Sequence, residues 1–452
     1  MSWTRQGAHW RRPLDCHDKL FQSVASAGQS LGREHWLMVG AVRIGFLPGT
    51  DGVENRLRAA WTALRFHHPD IAIKLRSDEK RYEPIASAEE LQAWVAATFH
   101  VETTASSADA LFSRHLKVAS ANATCHWLPA SDEIAIVSSH WRWDGRGMMM
   151  MLGEFLLGLA AHDPQPTSSS FGDEAYNLVP SLDALIGMPD KYEAMWLHQA
   201  EKLLAPLQQG TPSIGLPVAT GEQLPGDTRR IETVVTHDAT EALRAACRAR
   251  HIRLTAALHA SIIVETARYQ QSNYNTTTLY KSWAAFDVRK YCPAPFDGPS
   301  YSPALRVVVL PLVADASADW NALAASIQPL YQQSFSPADN DMLFVRVPYY
   351  EQVMTMLKTA TPTTEPNLSN LGVLDEYVKT QYGDVTVHNV QLAVQMLSAQ
   401  LYLHTWSWNG QLHISICYNE AFYEATFVKK WLNDLRLNLF KNLEVEDTES
   451  DE

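Results

Sequence analysis

One stretch constrains this chain more than any other: Ser138-Ser139-His140-Trp141-Arg142-Trp143-Asp144-Gly145-Arg146-Gly147. The run before it, Glu133-Ile134-Ala135-Ile136-Val137, has the apolar, β-branched character of a strand. The run after it, Met148 to Ala160, is apolar nearly all round its first turns, the pattern of a buried helix. A chain passing from strand to helix this quickly has to turn, and Asp144-Gly145 is the expected bend, because glycine tolerates backbone angles that other residues do not. His140 stands on that turn four residues before Asp144, a layout suited to acid–base chemistry. H-x-x-x-D-G alone arises by chance in about three per cent of chains this long. Its weight therefore comes from the strand before it and the helix after it.

At 452 residues the chain exceeds one ordinary hydrophobic core and implies two large domains or two lobes. Hydrophobic residues make up 46% and charged residues 19%, which is ample for such cores and too apolar for global disorder. Fourteen Trp and sixteen Tyr supply large, rigid surfaces that fill cores and suit pockets for bulky organic ligands. The formal net charge of −13 runs against the basic field that phosphate backbones require, so no nucleic-acid partner is expected. Part of that charge lies in Glu444 to Glu452, read as a solvated acidic tail. The five cysteines, Cys16, Cys125, Cys247, Cys292 and Cys417, are scattered, with no C-x-x-C or Cys/His cluster, so neither a metal site nor a disulfide framework is expected. Met1 to Arg5 lacks the apolar run of a signal peptide, and no stretch approaches the roughly 18 apolar residues of a membrane span. The expectation is a cytoplasmic, reducing setting and no membrane partner.

Read in order, residues 1–33 look like an irregular lead-in. His35 to Phe46 reads as a long strand, and Asn55 to His67 as an amphipathic helix with Leu57, Ala60, Trp61 and Leu64 on one face. That helix stops before Pro69, and His67-His68 reads as a helix C-terminus rather than a dyad. Ser87 to Phe99 is a further helix, and Ala123–Leu128 pairs with Glu133–Ser138 across Pro129 to Asp132. A Pro/Ser-rich break at Asp163–Ser170 precedes a helix from Tyr192 to Leu207, and the Gly/Pro-rich Gln208–Gly226 is the candidate linker. The second half predicts strands at Ile231–Val235, Thr276–Ala285 and Leu305–Val313, and helices from Asp238 or Thr240 and from Thr255. Helices at Trp320–Ser334 and Tyr349–Lys358 lead to a loop at Thr361–Asn370. Strands at Val385–Val387, Gln391–Met396 and Gln400–Trp408 follow, then an Asn409-Gly410 hairpin into Gln411–Tyr418 and a last helix from Tyr423 to Phe440.

Taken together, these features resemble the condensation-domain and CoA-dependent acyltransferase superfamily, which has the chloramphenicol acetyltransferase type of fold. In the first half the resemblance rests on Leu64-Arg65-Phe66-His67-His68-Pro69 and on His140-x-x-x-Asp144-Gly145. In the second it rests on Thr255-Ala256-Ala257-Leu258-His259-Ala260, Asp287-Val288-Arg289, Leu368-Ser369-Asn370-Leu371-Gly372, and Trp408-Asn409-Gly410-Gln411-Leu412 through Tyr418-Asn419. The length and the lead-in Arg12-Pro13-Leu14 look most like free-standing fungal secondary-metabolism members of the trichothecene 15-O-acetyltransferase type. The resemblance implies an α/β fold of two chloramphenicol acetyltransferase-like lobes, mixed sheets with flanking helices, and an active-site tunnel between them. On this chain it gives an N-terminal lobe 1–207, a linker 208–230, a C-terminal lobe 231–443 and the tail 444–452.

The same resemblance implies that His140 is a general base, acting on a hydroxyl or, less favoured, an amine as it attacks a thioester. Asp144 and Gly145 complete the motif, and Arg289, with Asp287 beside it, is the implied partner of Asp144. Ser369 or Asn370 are candidates to hold the oxyanion, with a polar loop as the alternative. Trp143, Met148 and Met151 are candidates to line an apolar substrate pocket, with flexible core filling as the alternative for the Met residues. Two departures matter. Ser139 stands where the peptide-synthetase pattern has a second His, and the plant signature Asp-Phe-Gly-Trp-Gly is absent. The first, with no carrier or adenylation domain attached, favours a free-standing enzyme with acyl-CoA as cosubstrate, no other cofactor, over a carrier-protein donor, and a small apolar acceptor; the second disfavours the plant branch and leaves the CoA contacts unassigned. A monomer suffices. A cyclase or pericyclase using the same tunnel without a thioester, and a non-catalytic binding relative, are the competing readings.

Overall fold

A computed structural model of the chain describes residues 2–161, 171–209, 212–218, 223–270, 277–301 and 303–447. The expected Pro/Ser-rich break, parts of the expected linker, Thr276 at the start of one expected strand, and most of the acidic tail lie outside these residues.

In chain order the first elements are β1 (Thr4–Gln6), β2 (His9–Pro13), α1 (Cys16–Ser26), β3 (Met38–Phe46), α2 (Val53–His67), β4 (Lys74–Leu75), β5 (Glu79–Tyr82), α3 (Ala88–Thr98), β6 (Phe99–Val101), α4 (Ala108–Arg114), β7 (Thr124–Leu128), β8 (Glu133–Ser138), α5 (Gly145–Ala161) and α6 (Leu182–Leu185). Next come α7 (Ala194–Gln208), β9 (Thr228–Val235), α8 (His237–Ala249), α9 (Leu254–Tyr269), β10 (Leu279–Asp287), β11 (Val307–Asp315), α10 (Trp320–Gln332) and α11 (Met342–Leu357). The chain closes with β12 (Asn367–Val373), β13 (Gln381–Tyr382), β14 (Val385–Val394), β15 (Tyr402–Trp408), β16 (Gln411–Asn419) and α12 (Ala425–Leu443).

These elements form two compact units. The first comprises Met1–Lys191, Asp287–Val307 and Leu374–Gln395, and the second Tyr192–Phe286, Val308–Val373 and Met396–Glu452. They are interleaved in sequence, whereas the composition suggested two consecutive lobes. The reason is strand exchange. β14 leaves the second half of the chain and pairs antiparallel with β3, from Val385 opposite Phe46 to Val394 opposite Met38. It completes a six-stranded mixed sheet in the order β13-β14-β3-β8-β7-β6. Part of the expected linker is also packed. Ile214 and Leu216 are buried in the core of the second unit, and their amides donate to Leu279 and Thr364 at 2.7 and 3.1 Å.

In the first unit, α5 lies along β3 with Met148, Met149, Met150, Met151, Leu152, Phe155, Leu156 and Leu159 all buried. Each such side chain contributes about 1.5–3 kcal/mol when removed from water. Met148 occupies the space over Gly40, where an added Cβ would meet its Cγ at 2.5 Å. Gly153 lets α5 approach the Tyr377 carbonyl, which would lie 2.0 Å from a Cβ there.

The lead-in carries regular structure over its described residues 2–33, contrary to expectation. β1 and β2 join β5 and β4 in a four-stranded sheet. α1 starts at a reciprocal capping box, in which Asp15 accepts from the Asp18 amide at 2.9 Å and Asp18 accepts from the Asp15 amide at 3.2 Å. Short polar strands and an Asp-x-x-Asp box give weak sequence signals. In the second unit a six-stranded sheet runs β11-β10-β12-β15-β16-β9. The segment expected to be a loop becomes β12 from Asn367, held by parallel pairing with β15. Two expected strands are one, β14, with an irregularity between Val387 and Asn389. Asn409 and Gly410 both take positive φ in the β15–β16 hairpin, as the Asn-Gly pair predicts.

Candidate active site

β8 ends at Ser138 and α5 begins at Gly145, so His140 lies on the connecting turn. That turn is closed by the Arg142 amide donating to the Ser139 carbonyl at 3.1 Å. Arg142, itself buried, ties the turn to its surroundings. Its guanidinium donates to Ser138 Oγ at 3.0 Å and to the carbonyls of Ile73 and Ala121 at 2.8 and 3.1 Å. Ser139 donates to the buried Glu34 at 3.1 Å, so the position that carries a second His in the peptide-synthetase pattern is a structural hydroxyl here.

His140 is half-buried. The Phe21 ring of α1 stacks on it at 4.2 Å between centroids and 16° between planes, and the Trp36 ring stands 5.8 Å away, tilted by 41°. Trp36 adopts φ +61°, a strained value for a non-glycine residue. Its amide is held by the Gln395 carbonyl at 2.8 Å, and the Gln395 side-chain amide is pinned to the carbonyls of Phe112 and Leu116, both at 2.8 Å. Nδ1 of His140 is buried against the residue's own main chain. Neither ring nitrogen hydrogen-bonds another residue among those described. Removal from water lowers its pKa to about 4, and its own main chain and the Asp144 charge counter only part of that fall. The imidazole is neutral at pH 7.

Asp144 caps α5. Its Oδ1 accepts from the Gly147 amide at 2.8 Å, and its carbonyl accepts from the Met148 amide at 2.9 Å. Oδ1 also pairs with Arg289 at 2.9 Å, and Oδ2 accepts from the Arg306 amide at 2.8 Å. Burial pushes this carboxyl upward, but Arg289 and the two amides outweigh it and hold its pKa below the ordinary value. Arg289 in turn donates to Asp287 at 2.7 Å and to the Ala304 carbonyl at 3.1 Å, and Arg146 reaches the other Asp287 oxygen at 2.8 Å. Arg289 and Asp287 fall within the first unit. Burial opposes the Arg289 charge, but Asp144 and Asp287 raise its pKa above the ordinary guanidinium value.

Other expected site residues fall differently. Gly145 is the first residue of α5 and is not among the positive-φ glycines, so the bend is made by the turn before it rather than by glycine's freedom. Trp143, Met148 and Met151 have no exposed surface, and Met148 fills the space over Gly40, so these three read as core. Ser369 and Asn370 lie on β12 in the second unit. Asn370 donates to Thr255 Oγ1 at 2.6 Å and accepts from the Gly372 amide at 2.8 Å, which commits its amide to the β12 bulge. Phe21, Trp36 and Glu34 were invisible to motif reasoning, because their signal is proximity to His140 and not a spacing along the chain.

No family model matches the chain. It is 28% identical over 463 aligned positions, 99% of each chain, to the acetyltransferase pigO of Monascus ruber. It is 26% identical to the O-acetyltransferase pigM of the same organism, over 96% of this chain and 86% of that one. Among solved structures it superposes on TRI3, the trichothecene 15-O-acetyltransferase of Fusarium sporotrichioides, with a TM-score of 0.81. That match has 15% identity and covers 97% of this chain and 96% of that one. The chain thus has the chloramphenicol acetyltransferase-like fold of the condensation-domain and acyltransferase superfamily, as its motifs implied, and its relatives support an acyltransferase.

Proposed function

We propose that this chain transfers an acyl group from acyl-CoA to a hydroxyl of an apolar small molecule, with His140 as the general base. The observation that carries the reading is an imidazole stacked under Phe21 with no hydrogen-bond partner in another described residue. A proton on Nδ1, beside its own main chain, leaves the lone pair on Nε2 to accept the hydroxyl proton. The acceptor oxygen then bonds to the thioester carbonyl carbon and a tetrahedral oxyanion forms. Its collapse breaks the carbon–sulfur bond, and the leaving thiolate takes the proton from the imidazolium, giving ester and free CoA. A base so placed supplies about 10²–10⁴ in rate, and holding both reactants together supplies more.

Asp144 and Arg289 act on geometry. The carboxylate caps α5 and binds Arg289 and the Arg306 amide, so it fixes where the turn ends. The relatives named acetyltransferase favour a short acyl group. The test is thiol release and product formation with a panel of acyl-CoAs and apolar alcohols, wild type beside His140→Ala. Turnover that requires the thioester and falls by at least about 10² in the variant is expected. Full turnover in a folded His140→Ala would refute the mechanism, and product formed without any thioester would select the cyclase reading.

A further inference from the structure

We infer that the buried ion pair between Asp18 and Lys80 is a positioning device for His140, which grips the catalytic turn by its main chain and holds the imidazole beneath Phe21. The inference rests on the reading of His140 as the base and names residues that neither the motif nor the relatives assign. Lys80 Nζ lies 2.6 Å from Asp18 Oδ1 and donates to the Trp141 carbonyl, one residue beyond His140, at 2.9 Å. Its ammonium also sits 5.3 Å over the Trp141 ring. Asp18 and Phe21 are three residues apart on α1, both buried, so the helix face that holds Lys80 also presents the ring stacked on His140. The contacts close a circuit: α1 to Asp18, Lys80, the Trp141 carbonyl, His140, Phe21 and back to α1.

The surroundings argue that this circuit is kept for geometry. Lys80 stands directly opposite Arg12 in the β2–β5 pairing, and like charges in that position destabilise a sheet. Asp18 lies against both cations, at 2.9 Å from Arg12, and Asp15 reaches Arg12 at 3.5 Å. The side chains of Asp18 and Lys80 are only 2% and 5% exposed. A buried ion pair of this kind is commonly less stabilising than an apolar pair of the same volume. What an apolar pair could not supply is a donor directed at the Trp141 carbonyl. Asp15 and Asp70, also buried, are the other carboxylates whose charges act on Lys80 and Arg12, and Asp144, capping α5, is the charge that acts on His140.

The test uses the full chain with Lys80→Met, Lys80→Arg and Phe21→Leu, read by kinetics with acyl-CoA and by NMR titration of His140 in isotope-labelled protein. In folded Lys80→Met we expect kcat to fall by about 10²-fold with KM for acyl-CoA nearly unchanged, because a small misplacement of a reacting group costs that much. The His140 midpoint should rise from about 4 toward the ordinary 6.5 as the loosened ring meets water. Phe21→Leu should move the midpoint in the same direction without altering any charge, which separates solvation from the loss of a neighbouring cation. Lys80→Arg should restore part of kcat. A folded Lys80→Met with an unmoved His140 midpoint overturns the inference, whether kcat is kept or lost, since lost activity alone would mark Lys80 as merely structural. If Lys80→Met does not fold, an unmoved midpoint and unchanged kcat in Phe21→Leu overturn it instead. Should His140→Ala keep full turnover, the catalytic reading fails, while the His140 midpoint in Lys80→Met still decides whether the clamp exists.

Discussion

Two histidines of this chain share a depressed pKa and differ in everything that decides chemistry. His140, on a turn of the first unit, is held near 4 by burial; His259, on α9 of the second, is driven lower still, to about 3, by the same cause. His259 is fully enclosed, with Nδ1 2.6 Å from the Tyr331 hydroxyl and Nε2 3.1 Å from the Tyr280 hydroxyl. Tyr280 donates its proton to the Pro366 carbonyl, so it accepts from His259 Nε2–H, and Nδ1 accepts from Tyr331. Both nitrogens are spent and the tautomer is locked. His140 has no such partners among the described residues and meets aromatic faces instead. The lesson is that desolvation alone does not make a base. A lone pair must also be available.

Alanine substitution should separate the two histidines most widely. His140→Ala should cut turnover by about 10²–10⁴ while changing stability by only about 1 kcal/mol, the scale of a lost aromatic contact. His259→Ala should do the reverse, losing about 2–4 kcal/mol in denaturant titration, since it opens a cavity and leaves two tyrosine hydroxyls short of a partner. If both substitutions affected activity only through the folded fraction, the contrast would collapse.

The motif's geometry gives the next effect. Asp144→Ala leaves Arg289 buried beside Asp287 alone, and a loss of about 3–5 kcal/mol is expected. A double-mutant cycle with Arg289→Ala should show a coupling of about 0.5–3 kcal/mol, and strict additivity would argue against the pair.

Activity and stability should also respond to pH over different ranges. With the His140 pKa lowered to about 4, the neutral base persists in mild acid, so the acid limb of kcat/KM should fall near pH 4 and not near 6.5. Stability falls in the same direction but over a higher pH range. Between pH 6.5 and 4 the unfolded chain binds protons that folded His140 and His259 do not, so unfolding free energy should decline as pH is lowered through that window. Tyr331→Phe is the smallest perturbation. It removes one partner of His259, costs about 1–2 kcal/mol, and should leave the acid limb of kcat/KM where it was.

Much of the site was legible in the sequence, because it is written locally. Strand, His-x-x-x-Asp-Gly and apolar helix are contiguous, and β8, the turn and α5 appear where the pattern of residues 133–160 puts them. The pairing of Asp144 with Arg289 was legible only through the resemblance, since nothing in the spacing links them. What failed were readings that took composition for structure. The Gly/Pro-rich stretch around Ile214 looked like a free linker, but it packs into a core through two buried aliphatic side chains. The polar lead-in looked irregular, but it supplies α1, whose Phe21 stacks on His140.

By itself, then, the sequence determined most of the element types, the α/β class and the turn from β8 into α5 that carries His140, because each follows from residues within a few positions of one another. The tertiary structure alone decided which segments share a sheet, as β14 with β3 does, since pairing between distant strands leaves no periodic trace in either. It also decided that His140 is desolvated with an open nitrogen while His259 is desolvated and saturated. Both are histidines in apolar surroundings, and what separates them is the set of hydroxyls, rings and carbonyls that folding brings to each imidazole.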